Sequence, residues 1–249
     1  NGLKEIFEKE KPTFIVHLAA RANTRKAVLE PESYMDVNIK GTLNILELAK
    51  NYKAENVVIA SSSSVYGNSE KSPLKEDDTA DRPLSPYGMS KRSIEMLAYS
   101  YHHNFGLNVV CLRYFNAYGE NNRPDLVPYL WGRAILNNEE IEMSGDGSRS
   151  RDYTYVGDIS EGTIRAMEKP LGFEIINLGN RRPVSLKELL SIFEKVTGIK
   201  AKVRVRPSNK SSVDSTCADI SKAKELLGWE PTTSIEEGIG KLVSWLRGN

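Results

Sequence analysis

Tyr87 and Lys91 stand four residues apart in this chain. On a helix such residues share a face, so the phenol and the ammonium would lie side by side. A tyrosine proton ordinarily leaves near pH 10, and a fixed positive charge beside it favours the phenolate and lowers that value. The pair would then serve as a general base at neutral pH. The spacing alone discriminates poorly: with 11 tyrosines, about one Tyr-x-x-x-Lys arises by chance in a chain of this length. Its neighbours raise it above an exposed helix pair. The apolar run Asn56–Ala60 leads into Ser61, Ser62, Ser63 and Ser64. The run before it ends in Ala19 and Ala20, and the run after it in Arg113-Tyr114-Phe115-Asn116. In open α/β sheets ligands gather outside the carboxyl ends of the strands, so three successive strand ends would offer small, hydroxyl and amide groups to one rim.

The elements that must position these groups alternate in type. Thr13–Ala19, Asn56–Ala60 and Val109–Leu112 are short apolar runs that predict buried strands. Between them, Pro31 starts a helix whose inner face is read as Tyr34, Val37, Gly41, Ile45, Leu48 and Tyr52. Ser85-Pro86 caps a second helix running to about Phe105. The Ser61–Ser85 segment between strand and helix is long enough to suspect function. Later elements are a helix at Leu126–Leu136, a turn at Gly145–Gly147, a helix at Asp158–Met167 and a strand at Phe173–Leu178. Helices at Ser185–Val196 and Ile235–Leu246 follow, with a strand at Ala201–Val205 and a polar loop at Arg206–Thr216 between them. This order predicts an α/β fold with a parallel sheet covered on both faces.

Composition narrows the class further. Hydrophobic residues at 39% and charged residues at 27% exclude a disordered or fibrous chain. A net charge of +1 gives no electrostatic reason for a nucleic-acid or anionic-membrane partner. No apolar run approaches the ~20 residues of a membrane span. Cys111 and Cys217 form neither a metal-ligand pair nor a disulfide framework, so the expected setting is a reducing cytoplasm. The three histidines have no carboxylate or cysteine spacing that suggests a metal, and no metal site is expected.

Taken in order, several short motifs resemble the extended short-chain dehydrogenase/reductase family, especially its nucleotide-sugar epimerases. They are His17-Leu18-Ala19-Ala20, Asn38-Ile39-Lys40-Gly41-Thr42, Ser61–Gly67, Ser85–Lys91, Leu112–Asn116, Arg151-Asp152-Tyr153 with Asp158, Asn177-Leu178-Gly179 and Ala218–Ala223. The resemblance implies a Rossmann-like doubly wound parallel sheet with a smaller α/β substrate domain. Residues 1–116 and 148–180 would form the NAD-binding unit, and 117–147 and 181–249 the nucleotide-sugar-binding unit. It implies Tyr87 as catalytic base, Lys91 as the residue that tunes it and holds the nicotinamide ribose, and Ser62 as the third catalytic hydroxyl. Leu18, Ala19, Ala20, Asn38, Ala60, Ser61 and Tyr114 would join Tyr87 and Lys91 around NAD. Ser62, Ser64, Asn116, Asp125, Leu126, Val127 and Arg151 would hold the UDP-sugar. Arg151 suits a diphosphate because its planar fork matches phosphate oxygens; its plainer role is a local ion pair with Asp152. The implied reaction is inversion of C4 of a UDP-hexose through a transient 4-keto sugar, with NAD supplying the redox chemistry. A homodimer is implied too, built on the helices from Pro31 and from Ser85, with Met96, Tyr99 and Tyr101 exposed for contact.

The chain also departs from that pattern. The family opens with a strand and a Gly-x-x-Gly-x-x-Gly turn that seats the dinucleotide pyrophosphate, and none of the 18 glycines forms one. One or two βαβ units are therefore expected ahead of Asn1 in the intact protein. Ser62-Ser63-Ser64 stands where related dehydratases carry an acid, which argues against a 4,6-dehydratase. Arg123-Pro124-Asp125 looks most like UDP-glucuronate 4-epimerases, whereas Asn116 looks like UDP-glucose 4-epimerases, so both sugars stay open. Alternatives are a UDP-glucuronate decarboxylase and a truncated, non-catalytic nucleotide-sugar-binding protein.

Overall fold

The computed structural model describes residues 2–207 and 213–248. Helix α1 (Gly2–Glu10) leads into β1 (Phe14–His17), and the short α2 (Thr24–Leu29) precedes one long helical run. That run is α3 (Pro31–Tyr34), a widened π turn over Met35–Lys40, and α4 (Gly41–Asn51). Strand β2 (Asn56–Ser62) passes into a tight turn at Ser63–Tyr66, and after a long loop comes α5 (Pro86–Phe105). Then follow β3 (Val109–Tyr114), β4 (Asn116–Tyr118), α6 (Val127–Leu136), β5 (Glu140–Ser144), β6 (Ser150–Tyr155) and α7 (Val156–Met167). The chain ends with β7 (Phe173–Leu178), β8 (Pro183–Ser185), α8 (Leu186–Thr197), β9 (Lys202–Arg206), α9 (Ser221–Leu227) and α10 (Ile235–Gly248). Of the polar loop expected at Arg206–Thr216, residues 208–212 lie outside the described residues.

Strands β1, β2, β3 and β7 pair in that order, all parallel. Because successive side chains of a strand point to opposite faces, each central strand feeds two cores. Val57, Ile59, Val109 and Cys111 pack with Phe7, Leu46, Ala49, Ile94 and Ala98 of α1, α4 and α5. Val58, Val110, Leu112, Ile176 and Leu178 pack on the other side with Ile159 and Ala166 of α7 and Ala223 and Leu227 of α9. A third core joins α6, α8 and α10 to β5, β6 and β8 through Trp131, Ile141, Tyr153, Phe193 and Leu242. Strands β4, β6 and β8 form a small sheet, and β5 pairs with β9. The segment Ala218–Trp229 joins the core of the main sheet rather than that of the α6–α8–α10 unit.

Helix α5, which carries Tyr87 and Lys91, is fixed at both ends. Ser85 caps its start by accepting a hydrogen bond from Gly88 N at 3.2 Å, and Pro86 occupies the first turn. Gly106, at φ +67°, ends it in the left-handed conformation that glycine takes without a Cβ penalty. Gly88 is required for a different reason: a Cβ there would stand 2.6 Å from the Ser64 carbonyl oxygen, so α5 presses directly on the turn after β2.

Three sequence expectations are corrected. Among the described residues strand β1 pairs only with β2 and buries Ile15, while Phe14 and Val16 are exposed. The helical run from Pro31 buries Tyr34, Asn38, Thr42, Leu46 and Ala49, whereas Val37 is exposed and Gly41, Ile45, Leu48 and Tyr52 are half-buried. Polar contacts set that rotation, because Asn38 and Thr42 turn inward to bind Arg21, Ser90 and His17. Tyr101 is buried, its hydroxyl donating to Glu47 of α4. Met96 and Tyr99 stay exposed at 57% and 54%.

Candidate active site

The register of the parallel sheet brings the ends of β1, β2 and β3 to one edge, since His17 is aligned with Ile59 and Ser62 with Tyr114. The start of α5 lies against that edge. Tyr87 is buried there, its ring set edge-on to Tyr34 of α3 with centroids 6.4 Å apart. The Ser62 hydroxyl stands beside the Tyr87 phenol, close enough to pull its pKa down against the larger effect of burial. It also donates to Ser64 Oγ at 3.2 Å and accepts from Ser64 N at 3.1 Å, which holds the serine turn in place. Ser62, Ser64 and Tyr87 are thus one cluster.

Lys91 lies on the same face of α5 as Tyr87, as the spacing predicts. Its Nζ lies 5.9 Å from the centroid of the Tyr87 ring and donates to the Ala60 carbonyl oxygen at 2.6 Å. Burial is the main influence on both groups. It pushes the Lys91 ammonium down to about 8 and raises the Tyr87 phenol above its ordinary value, against the opposing pull of Ser62 and the Arg123 guanidinium. On Tyr87 burial thus outweighs the neighbouring groups that favour the phenolate. His17 accompanies them, sharing a hydrogen bond of 3.0 Å with Thr42 Oγ1. Burial, helped by the Lys91 charge, lowers its pKa to about 4, so the imidazole is neutral at physiological pH.

Of the residues expected around NAD, Leu18, Ala19 and Ala20 follow β1 with Leu18 largely exposed, and Ala60 and Ser61 end β2. The Tyr114 hydroxyl pairs with Thr163 Oγ1 at 2.9 Å, and burial pushes its pKa up to about 12. The Asn38 side chain is engaged within the chain, donating to Arg21 O and Ser90 Oγ and accepting from Arg21 N. The small residues at Ala19, Ala20 and Ala60, next to Lys91 and Tyr114, leave a rim suited to the nicotinamide end of the cofactor. Among the described residues no glycine-rich turn joins a strand to a helix, so this fit covers that end alone.

Beside this edge lies a cavity of about 400 Å³ lined by Asn116, Leu126, Val127 and Arg151, together with Arg25, Ser144, Arg149, Tyr153 and Arg206. Four of the five substrate positions expected outside the serine turn therefore meet in one space. Asp125 does not line it. Its carboxylate takes two bonds from Arg123, at 2.7 and 3.1 Å, and one from Asn23 Nδ2 at 2.7 Å, which ties the 119–126 loop to the start of α2.

Arg151 forms no ion pair with Asp152. Its guanidinium donates to the Ser150, Val213 and Asp214 carbonyl oxygens. Asp152 instead accepts from the backbone N–H groups of Asn180, Arg181 and Ala218. Burial raises its pKa to about 6, against those bonds. Arg25, Arg149 and Arg206 were not read from the sequence as site residues. Arg149 stands two residues before Arg151, whereas Arg25 and Arg206 reach the cavity from separate parts of the fold that no local spacing links to it. Carboxylates near two of the arginines bear on the field there, with Arg149 3.4 Å from Asp214 and Arg206 2.8 Å from Glu142. Among the described residues no cluster of histidine, cysteine and carboxylate side chains could hold a metal ion.

Known proteins resemble this chain in sequence and fold. The sequence pattern of the GDP-mannose 4,6 dehydratase family matches residues 1–242. A UDP-glucuronate 4-epimerase of Thermodesulfobacterium geofontis is 45% identical over 249 residues, which is 100% of this chain and 76% of that protein. The crystal structure of a UDP-glucuronic acid 4-epimerase from Bacillus cereus, in complex with UDP-glucuronic acid and NAD, superposes with a TM-score of 0.92 at 34% identity. That match covers 100% of this chain and 79% of the other. A UDP-glucose 4-epimerase from Thermotoga maritima, in complex with UDP-glucose, gives a TM-score of 0.94 at 32% identity, covering 99% of this chain and 81% of the other.

Proposed function

This chain belongs to the GDP-mannose 4,6 dehydratase family, and from that premise we propose that it inverts C4 of a UDP-hexose, of the glucose or glucuronate type, with NAD as cofactor. The observation that carries this reading is a convergence: the Tyr87–Ser62–Lys91 cluster stands at the sheet edge beside the cavity lined by Asn116, Leu126, Val127 and Arg151. Named 4-epimerases of UDP-sugars among the relatives support it. The Ser62–Ser64 turn has no carboxylate, which supports epimerisation over the dehydration that the family's name describes.

NAD, when bound, supplies a reversible hydride acceptor, and the nicotinamide end would be held by Lys91, Tyr114 and the small residues at Ala19, Ala20 and Ala60. The protein's own work is proton traffic and placement. Tyr87 takes the proton of the sugar's 4-hydroxyl and returns it after the transient 4-keto sugar has turned its other face. Ser62 hydrogen-bonds the same oxygen, and Ser64 contacts the sugar. Lys91, released from Ala60, favours the phenolate that Tyr87 must become. Arg151 presents two N–H groups to the diphosphate, while Leu126 and Val127 line the nucleotide side.

We place the protein in the cytoplasm, a reading that the two unpaired cysteines support. No helix among the described residues is long and apolar enough to cross a membrane. We also propose pairing of two copies through α4 and α5.

The test is to incubate the full-length protein with NAD and UDP-glucose, UDP-N-acetylglucosamine or UDP-glucuronate separately, and to resolve the products. Conversion of one sugar to its C4 epimer is expected. A pentose product with loss of carbon dioxide would replace the reading with decarboxylation, and binding of UDP-sugar without turnover would replace it with a non-catalytic binding protein.

A further inference from the structure

Three consecutive residues at the end of β2 engage three residues spaced one turn apart on α5. The Ser62 hydroxyl meets Tyr87, and the Ala60 carbonyl meets Lys91. Between them Ser61 Oγ donates to Glu95 Oε1 at 2.5 Å. The first two contacts belong to the proposed chemistry. The third lies behind it.

Glu95 is fully buried, and its carboxylate accepts four hydrogen bonds. Besides Ser61 these come from Arg113 Nε at 2.8 Å, Arg113 Nη2 at 2.9 Å and Arg92 Nη1 at 2.9 Å. Arg113, on β3, is itself buried. It stacks 4.6 Å from the Tyr66 ring centroid and donates to the Glu76 carbonyl oxygen. One carboxylate therefore joins the end of β2, the end of β3 and α5. Replacing a buried ion pair with apolar residues of similar volume is often neutral or stabilising, so stability alone is a weak reason for its presence. A directional network, unlike an apolar contact, fixes one register. The other fixed point is Gly88, where the helix backbone already touches the Ser64 carbonyl and leaves no room to slide.

We propose that Glu95 is a positioning residue which, through Ser61 and Arg113, sets the height of α5 on the ends of β2 and β3 and so keeps Tyr87 beside the serine turn that ends β2. This rests on the epimerase reading only in naming Tyr87 as the proton acceptor.

Ser61→Ala is the informative variant. It removes the strand's hold on Glu95 but leaves the carboxylate three of its four bonds, whereas Glu95→Gln would strand the Arg113 charge and endanger folding. Ser61→Ala is expected to lower kcat about tenfold while KM for the UDP-sugar stays within about twofold. The loss should shrink to under about twofold in a Ser62→Ala background, since both substitutions break one arrangement.

A second readout needs no turnover: the NMR signal of the Tyr87 ring carbon bearing the hydroxyl, assigned by its disappearance in Tyr87→Phe. In Ser61→Ala it should move in the same direction as in Ser62→Ala. An unmoved signal, an unchanged kcat, or a Ser61→Ala loss that persists in full beside Ser62→Ala would overturn the proposal. Absence of turnover in the unsubstituted full-length protein would refute the epimerase reading, and the NMR comparison would still decide the positioning role.

Discussion

Lys91 Nζ donates to the Ala60 carbonyl oxygen at 2.6 Å, on the strand next to the helix that carries it, while the Tyr87 ring centroid lies 5.9 Å away. In this state the ammonium acts as a strut between α5 and β2, and burial costs it protons. Its pKa falls to about 8 in the folded chain, against ~10.4 for an ordinary lysine. Between those values the unfolded chain binds a proton that the folded one does not, so the Lys91 contribution to stability grows as pH rises from about 8 to about 10.4 and is lost as pH falls through 8. Lys91→Met should remove that slope. Urea unfolding of both proteins at pH 7.5 and 10 is expected to show their stability difference change by ~2 kcal/mol. A difference independent of pH would mean that the ammonium is hydrated.

Tyr87→Phe removes the proton acceptor and little surface. Turnover should fall by about a thousandfold. UDP affinity by calorimetry should change less than about twofold, because Tyr87 does not line the cavity. Near-normal turnover would end its role as the base.

At Arg151 the expected outcome is the reverse, a loss of binding. The guanidinium is already oriented by the Val213 and Asp214 carbonyls, leaving its fork aimed by the loop that follows β9. Arg151→Ala should weaken UDP binding about 10- to 100-fold, and Arg151→Lys should recover only part, since a lysine gives one point charge in place of a planar pair of donors. Full recovery by lysine would show that charge alone matters there.

The legibility of this fold in its sequence followed the physics of each element. Strands β2 and β3 were plain because both their faces are buried, so apolar residues run without interruption. Helix α5 was plain because Ser85, Pro86 and Gly106 mark its ends. The face of the Pro31 run was misjudged, because hydrophobic periodicity assumes that the inward stripe is apolar. Here Asn38 and Thr42 turn inward, within or just after a π turn that shifts the phase. The site divided along the same line. Tyr87, Ser62 and Arg151 sit in local motifs, with Arg149 two residues before Arg151, whereas Arg25 and Arg206 join the cavity only through tertiary packing. The position of Lys91 depends on a backbone carbonyl, which no residue type announces.

The remaining prediction concerns association. Tyr101, expected as an interface residue, is occupied by Glu47 and joins α4 to α5 within one chain. Exposed apolar residues on those two helices include Leu43 at 37%, Met96 at 57% and Tyr99 at 54% exposure, with Met89 and Phe105 on α5 also open. Apolar side chains on neighbouring helices form the kind of patch that pairs with a copy of itself about a twofold axis. The chain is therefore expected to sediment as a dimer at micromolar concentration, and Met96→Glu with Leu43→Glu as a monomer. Both substitutions sit on exposed positions and should leave the melting temperature of the monomer nearly unchanged, because surface replacements usually cost within about 0.5 kcal/mol. A dimer that survives both charges would place the contact on another face.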